Sequence, residues 1–278
     1  MKIYAFSDEA AISLEGQIAA LKRNGLDGME IRGVDGENIS GISAKKAGEI
    51  LKRLKENGLS VWSIGSPIGK INLEDDFEAH LEVLKHTLEI ANILECGNLR
   101  MFSFYLPKGK RPEDCRGEVI DKLGKMAETA EPYGIRMCHE NEKEIYGDIA
   151  PRCAEILDAV PALRCVFDPA NFIQSGQDVP EAWKLLGGRV YYMHIKDALA
   201  DGTVVPAGKG IGHLPEILKD YRARGGSAAT VEPHLQVFAG FAALEKDART
   251  PMMKYAYGSG DEAFDAACGA LKELMKEG

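Results

Sequence analysis

Eight short apolar runs recur along the chain, each followed by a segment with helical periodicity. This alternation constrains the fold more than any other feature. The runs are Ile3–Phe6, Gly28–Arg32, Ser60–Ile64, Leu99–Phe104, Ile135–Glu140, Arg164–Asp168, Val190–Lys196 and Ala228–Glu232. They recur about every 25 to 40 residues, the length of one strand–helix unit. In AGEILKRLKENG, Ile50, Leu51 and Leu54 share one helical face, and FEAHLEVLKHTLEIANIL repeats the pattern. Ser13, Ser43, Asp75 and Asp148 read as helix caps and Pro112 as a first-turn residue. The segments RNGLDG, KENGLS and EPYGIR place Gly where a helix must turn left-handed before the next strand. Eight such units predict a (β/α)₈ TIM barrel, an α/β fold in a single domain spanning 1–278. A doubly wound sheet is the alternative, but it would place a Gly-rich phosphate loop after the first strand, where this chain has SDEAAIS.

The chain has 278 residues, 45% of them hydrophobic, enough for one large core. Its formal charge of −9 argues against a nucleic-acid or anionic-membrane surface. The opening MKIYAFSDEAA meets Ser7, Asp8 and Glu9 too soon for a secretory leader, and no run reaches membrane-spanning length. These features predict a cytoplasmic protein whose six cysteines are reduced and scattered, with no CxxC pair. One connection is unusual. Between the eighth strand and the last helix, the 233–260 excursion carries Phe238, Phe241, Met252, Met253, Tyr255 and Tyr257. That content predicts packing over the barrel mouth or against a second subunit in a homodimer.

Glu140, Asp168, His194 and Glu232 stand at the ends of the fifth to eighth runs. Adjacent parallel strands lie about 4.8 Å apart, so side chains on four neighbouring strand ends can close around one ion. Any one such acid is more often a helix cap; four in succession are not explained that way. Two Glu, one Asp and one His form a mostly oxygen-donor set suited to a divalent cation such as Mn²⁺ or Mg²⁺.

The motifs CHENE, FDPAN, YMHIKDA, VVPAGKGIG and TVEPHL, in this order, resemble the xylose isomerase-like sugar isomerase/epimerase superfamily, and MEIRG at the second strand also fits. The resemblance covers essentially the whole chain. It implies that Glu140, Asp168, His194 and Glu232 bind one divalent ion, commonly Mn²⁺, with Mg²⁺, Co²⁺ or Zn²⁺ as alternatives. It also implies that Glu140 and Glu232 are acid/base groups on opposite sides of a sugar or sugar-acid substrate. Abstraction of a proton beside a carbonyl gives an enediolate, which can lead to epimerisation, to aldose–ketose isomerisation or, by loss of a β-hydroxyl, to dehydration of a keto-inositol or related keto-sugar.

Departures and neighbours refine this reading. Where many sugar epimerases of the group have His, this chain has Asn171, which hydrogen-bonds but carries no proton at neutral pH. Lys209 replaces a frequent Arg and is a candidate for a substrate carboxylate or phosphate. Lys196 shares parity with His194; Glu142 and His234 follow their ligands by two residues; Glu30, Arg32 and Ser66 could reach the substrate from the far side. Trp62 is expected in the core, with Phe104 and Tyr105 as a possible apolar wall. His80 and His86 are expected in solvent, His139 toward the helices and His213 at a helix start. Endonuclease IV-type chemistry needs a His-rich multi-metal cluster, which six His and an acidic charge do not favour. A second, xylose isomerase-type metal would have to draw on Asp197 and Asp201. A non-catalytic sugar sensor would show a damaged ligand set, whereas all four ligands are present.

Overall fold

A computed structural model describes residues 1–236 and 257–277. Within them the eight runs form strands β1 (Lys2–Ala5), β2 (Gly28–Ile31), β3 (Ser60–Gly65), β4 (Asn98–Met101), β5 (Arg136–Glu140), β6 (Arg164–Phe167), β7 (Val190–Ile195) and β8 (Ala228–Val231). All pair in parallel in sequence order, and β1 closes the barrel by pairing with both β2 and β8. Around them lie helices α1 (Leu14–Arg23), α2 (Ala44–Glu56), α3 (Phe77–Ile93), α4 (Pro112–Ala130), α5 (Ala150–Ala159), α6 (Pro169–Gln174), α7 (Val179–Leu186), α8 (Leu214–Ala223) and α9 (Gly260–Glu277). The TIM barrel expected from the alternation is the fold, with two helices rather than one between β6 and β7.

Local chemistry accounts for most boundaries. Ser13 and Ser43 accept hydrogen bonds from Gly16 N and Lys46 N, and Pro112 opens α4. Two expected caps shift. Asp76 caps α3 while Asp75 accepts from Asn72 N, and α5 starts after Ile149 with Asp148 paired to Arg152. Gly25, Gly58 and Gly134 adopt φ of 58°, 70° and 67°, the left-handed turn expected of them.

Apolar packing has two zones. Between strands and helices lie Leu21, Ile50, Leu84, Val119 and Leu271. Inside the lower barrel sit Tyr4, Cys138, Val166, Tyr192 and Ala228, with Trp62 stacked on Tyr4 at 5.3 Å. Trp62 is therefore core, as expected. Alternation along the same strands carries the polar side chains to the upper interior, so the plug of aromatics forms the floor of the mouth.

The expectation of solvated His80 and His86 does not hold. His80 is buried, and its Nε2 accepts from Gly69 N at 2.9 Å; His86 Nε2 meets Ile42 O at 2.9 Å. Gly69 is there for close approach: a Cβ would lie 2.1 Å from Phe102 O. His80 thus pins the loop after β3 flat against the end of β4, where Lys70 can enter the mouth. The six cysteines are free and buried. Among the described residues no helix is long and apolar enough to cross a membrane. Of the aromatic excursion, Tyr257 packs on the core; the expectations for Phe238, Phe241, Met252, Met253 and Tyr255 fall outside the described residues.

Candidate active site

Glu140 closes β5, His194 lies in β7, and Asp168 and Glu232 follow β6 and β8 by one residue. Register explains their convergence, since Glu140 pairs with Val166 and His194 with Thr230, two residues below Asp168 and Glu232 respectively. All four are buried, and one ligand atom from each lies within 4.8 Å of the others. His194 Nδ1 is 2.9 Å from Glu140 Oε1 and 3.3 Å from Glu232 Oε2.

Asp168 divides its work. Its Oδ1 accepts from Asn171 N at 2.9 Å and so caps α6, while buried Oδ2 has no hydrogen-bond partner among the described residues. Lys196 Nζ stands 3.0 Å from that oxygen and 3.1 Å from Glu232 Oε2. An orphaned carboxylate oxygen among buried O and N donors fits a divalent ion.

The supporting residues are as ordered as the quartet. His194 Nε2 lies 3.1 Å from Glu30 Oε2, and Tyr192 donates to Glu30 Oε1 at 2.9 Å. A neutral ring donating from Nε2 to Glu30 would leave the Nδ1 lone pair facing the other three ligands. Asn141 holds Asp168 from both sides, donating to its carbonyl and accepting from its N–H, each at 2.9 Å. Asn171 Nδ2 donates to Asn141 O at 2.9 Å and to Glu140 Oε1 at 3.2 Å.

Electrostatics follow from crowding acids in a buried place. Burial pushes the Asp168 carboxyl up to about 7. Burial would raise Glu232 as well, but Lys196, His234 and His194 outweigh it and hold that carboxyl well below its ordinary range. Burial opposes charge on His194 and on Lys196, yet Glu140 and Glu30 raise the first, and Asp168 and Glu232 the second, well above their usual values. The cluster takes up positive charge from whatever cations adjoin it.

Glu9, Glu232 and His234 form a second close group. The Glu9 oxygens in it are already engaged, because Arg32 Nη2 is 3.0 Å from Glu9 Oε1 and His234 N donates to Glu9 Oε2 at 2.6 Å. Asp197 is also occupied. Gly208, Gly210 and Gly212 donate their N–H groups to its carboxylate at 2.9, 3.0 and 2.9 Å. A Cβ at Gly210 or Gly212 would come within 2.3 or 2.6 Å of Asp197 Oδ1, which is why that loop is glycine-rich. It is folded around a carboxylate of its own chain, and Asp197 is not spare for a second metal.

A family model for the xylose isomerase-like TIM barrel matches residues 18–249. The chain belongs to this family. No functionally curated protein matches the sequence. Among solved structures, the chain is similar to the probable 3-DHS dehydratase AsbF from Bacillus anthracis, with 20% identity, a TM-score of 0.75 and coverage of 98% of this chain and 99% of that one. It is similar to the IolI protein crystallised with a zinc atom, at 17% identity, a TM-score of 0.76 and coverage of 100% and 99%. D-Psicose 3-epimerase from Clostridium cellulolyticum H10 gives 15%, 0.76, and 99% of each chain. At these identities the likeness establishes the barrel.

Above the quartet, this xylose isomerase-like barrel opens into a narrow pocket of about 20 Å³. Arg32, Glu140, Glu142, Asn171, Lys196, Glu232 and His234 line it, so seven residues singled out in the sequence meet there. Two others lie elsewhere. The Ser66 hydroxyl donates to Arg100 O at 2.6 Å and accepts from Ile68 N, shaping the loop; Lys209 is exposed and outside the lining. His139 rests on Ser103 and against Gly147, and His213 precedes α8, as expected of each. Sequence reasoning overlooked Arg100 and Lys70, which also line the pocket. The signal for Arg100 was its parity: in NLRM, Asn98 and Arg100 alternate with Leu99 and Met101, so a charge had to face inward.

Proposed function

We propose that this protein is a divalent-metal-dependent isomerase or epimerase of a sugar or sugar acid, working by proton abstraction beside a carbonyl. The observation that carries this reading is the convergence of Glu140, Asp168, His194 and Glu232 within 4.8 Å, with Glu140 and Glu232 also lining the pocket. Those four would hold one ion, Mn²⁺ first among Mn²⁺, Mg²⁺, Co²⁺ and Zn²⁺; that the similar IolI protein binds a zinc atom supports a cation on this fold. When bound, such an ion polarises a carbonyl and an adjacent hydroxyl as a Lewis acid.

The chain's own residues supply the proton chemistry. Lys196, 3.1 Å from its Oε2, helps keep Glu232 ionised, so the carboxylate is the group placed to take the proton. Glu140 faces it across His194 Nδ1, where it can deliver a proton to the other side of an enediolate. Asn171, bonded to Glu140 Oε1, sets the orientation of that carboxylate without competing for the proton. Buried surroundings exclude bulk water, which protects a reactive enediolate from side reactions.

The test is proton exchange in D₂O with a panel of ketoses, keto-acids and keto-inositols. Deuterium should enter the carbon beside the carbonyl, and Glu140→Gln and Glu232→Gln should each lower turnover about 10²- to 10⁴-fold. Near-full turnover in both variants would overturn the reading. Dehydration is a second outcome of the same abstraction, and the similar probable 3-DHS dehydratase supports keeping it. An enone absorbance with loss of water would establish it instead.

A further inference from the structure

The pocket is rimmed by four long cationic side chains, Arg32, Lys70, Arg100 and Lys196, and three of them donate hydrogen bonds to carboxylates. Arg32 reaches Asp8 at 2.9 Å and Glu9 at 3.0 Å; Lys70 reaches Glu142 at 2.8 Å; Lys196 reaches Asp168 at 3.0 Å and Glu232 at 3.1 Å. Arg100 is different. Its side chain is 4% exposed, yet its buried Nε has no acceptor, and no described residue accepts a hydrogen bond from its guanidinium. Glu140 Oε2 at 3.3 Å and Glu30 Oε1 at 3.9 Å balance its charge as ion pairs, but neither accepts a hydrogen bond from it.

A buried guanidinium whose charge is balanced but whose N–H groups find no acceptor is costly unless something completes it. The surroundings hold it in place rather than satisfy it. Its plane lies 4.5 Å from the Phe102 ring centroid and 5.5 Å from that of Phe6. Gly65 makes room for this stack: a Cβ there would sit 2.6 Å from the Phe6 ring and 3.3 Å from Arg100 Nη2. Phe102 lines the same pocket as Arg100.

We propose that Arg100 is the anion-recognition residue of this pocket and that the substrate is a sugar acid whose carboxylate it holds. This rests on the proposed reading of the pocket as the site of proton abstraction, and it selects the acid from the broader class of sugars named there. A carboxylate matches what is left over. One planar fork accepts one planar monoanion through two parallel N–H···O bonds, whereas a phosphate dianion would ask for a second cation and the other three are engaged.

The experiment is calorimetric titration of the full chain with D-gluconate and with its neutral counterpart D-glucitol, both Mn²⁺-loaded and after chelator treatment. Gluconate should bind about tenfold or more tightly than glucitol in both preparations, the expected worth of a charge-assisted bidentate contact. Arg100→Met should reduce that preference to near unity, and Arg100→Lys, which keeps the charge but not the fork, should restore part of it. Circular dichroism of both variants checks that they fold. Equal binding of the two ligands by the wild type, or a preference that Arg100→Met leaves intact, would overturn the proposal. The two readings fail separately. Deuterium exchange on a neutral ketose without carboxylate preference removes only this inference; carboxylate preference without exchange on any panel member removes only the proposed reaction.

Discussion

The two sides of the barrel mouth are charged in opposite senses. From β5 to β8 come Glu140, Asp168, His194 and Glu232, drawn together around Lys196. From β2, the loop after β3, and β4 come Arg32, Lys70 and Arg100. The acidic arc is tied by direct contacts between its own members. The cationic arc is tied through stacking on Phe6 and Phe102 and through acids borrowed from elsewhere, Asp8, Glu9 and Glu142. The difference teaches that one arc gathers buried O and N donors of the kind that could hold a cation, while the other presents positive charge to whatever enters beside it.

This division can be broken by variants that touch one arc at a time. The largest effect is expected from Asp168→Ala, which removes both the orphaned Oδ2 and the cap on α6. Stoichiometric divalent-ion binding by calorimetry should disappear while the gluconate preference of the chelator-treated protein persists. If metal binding survives, the acidic arc is not the cation site. Next comes Glu30→Gln, which leaves the quartet whole but weakens the partner of His194 Nε2. Metal affinity should fall about 10- to 100-fold, the usual consequence of losing such a support; unchanged affinity would show that Glu30 serves the floor of the barrel only.

On the cationic side, Gly65→Ala places a Cβ against Phe6, Arg32 and Arg100. It should cost about 1–3 kcal/mol of stability in denaturant titration, as overpacking does, and it should loosen carboxylate selectivity without touching metal affinity. The smallest effect belongs to His80. Burial holds its imidazole neutral, with a pKa below the ordinary 6.5 and Asp75 offsetting part of the shift. The unfolded chain therefore takes up this proton first, so the His80 contribution is full above about pH 6.5 and is lost as pH falls below it. His80→Gln should show a shallower decline in Tm between about pH 7 and pH 5; an identical decline would mean that the Gly69 bond does not depend on the neutral ring.

How much of this was legible in the sequence also divides along the two arcs. The quartet stands where an apolar run ends and a loop begins, and four such ends in succession leave little else for them to be. The barrel was legible for the same reason, from eight runs with Gly-terminated helices between them. Arg100 was missed because a charge inside a strand reads as an interruption until parity is counted. His80 was misread because its helical neighbours Glu78 and Glu82 are charged, while the loop that covers it comes from elsewhere and bonds through a backbone N–H. Lys209 was read as a candidate substrate contact because it stands where related sequences often have Arg, in a loop rich in glycine. Those glycines serve Asp197, and such a fold-back onto a carboxylate of the same chain leaves no periodic trace. Ser66 was likewise taken up by a main-chain carbonyl that becomes adjacent only when β3 and β4 lie side by side.

The contact between His234 N and Glu9 Oε2 joins positions 225 apart, and it lies at the seam where β1 meets β8. That seam sets a schedule for biosynthesis. A chain still emerging from the ribosome can carry Glu140, Asp168 and His194 before Glu232 exists, and until β8 arrives the barrel has one open edge on β1 and another on β7. The four-residue cluster is therefore complete only once the last strand of the barrel has been made.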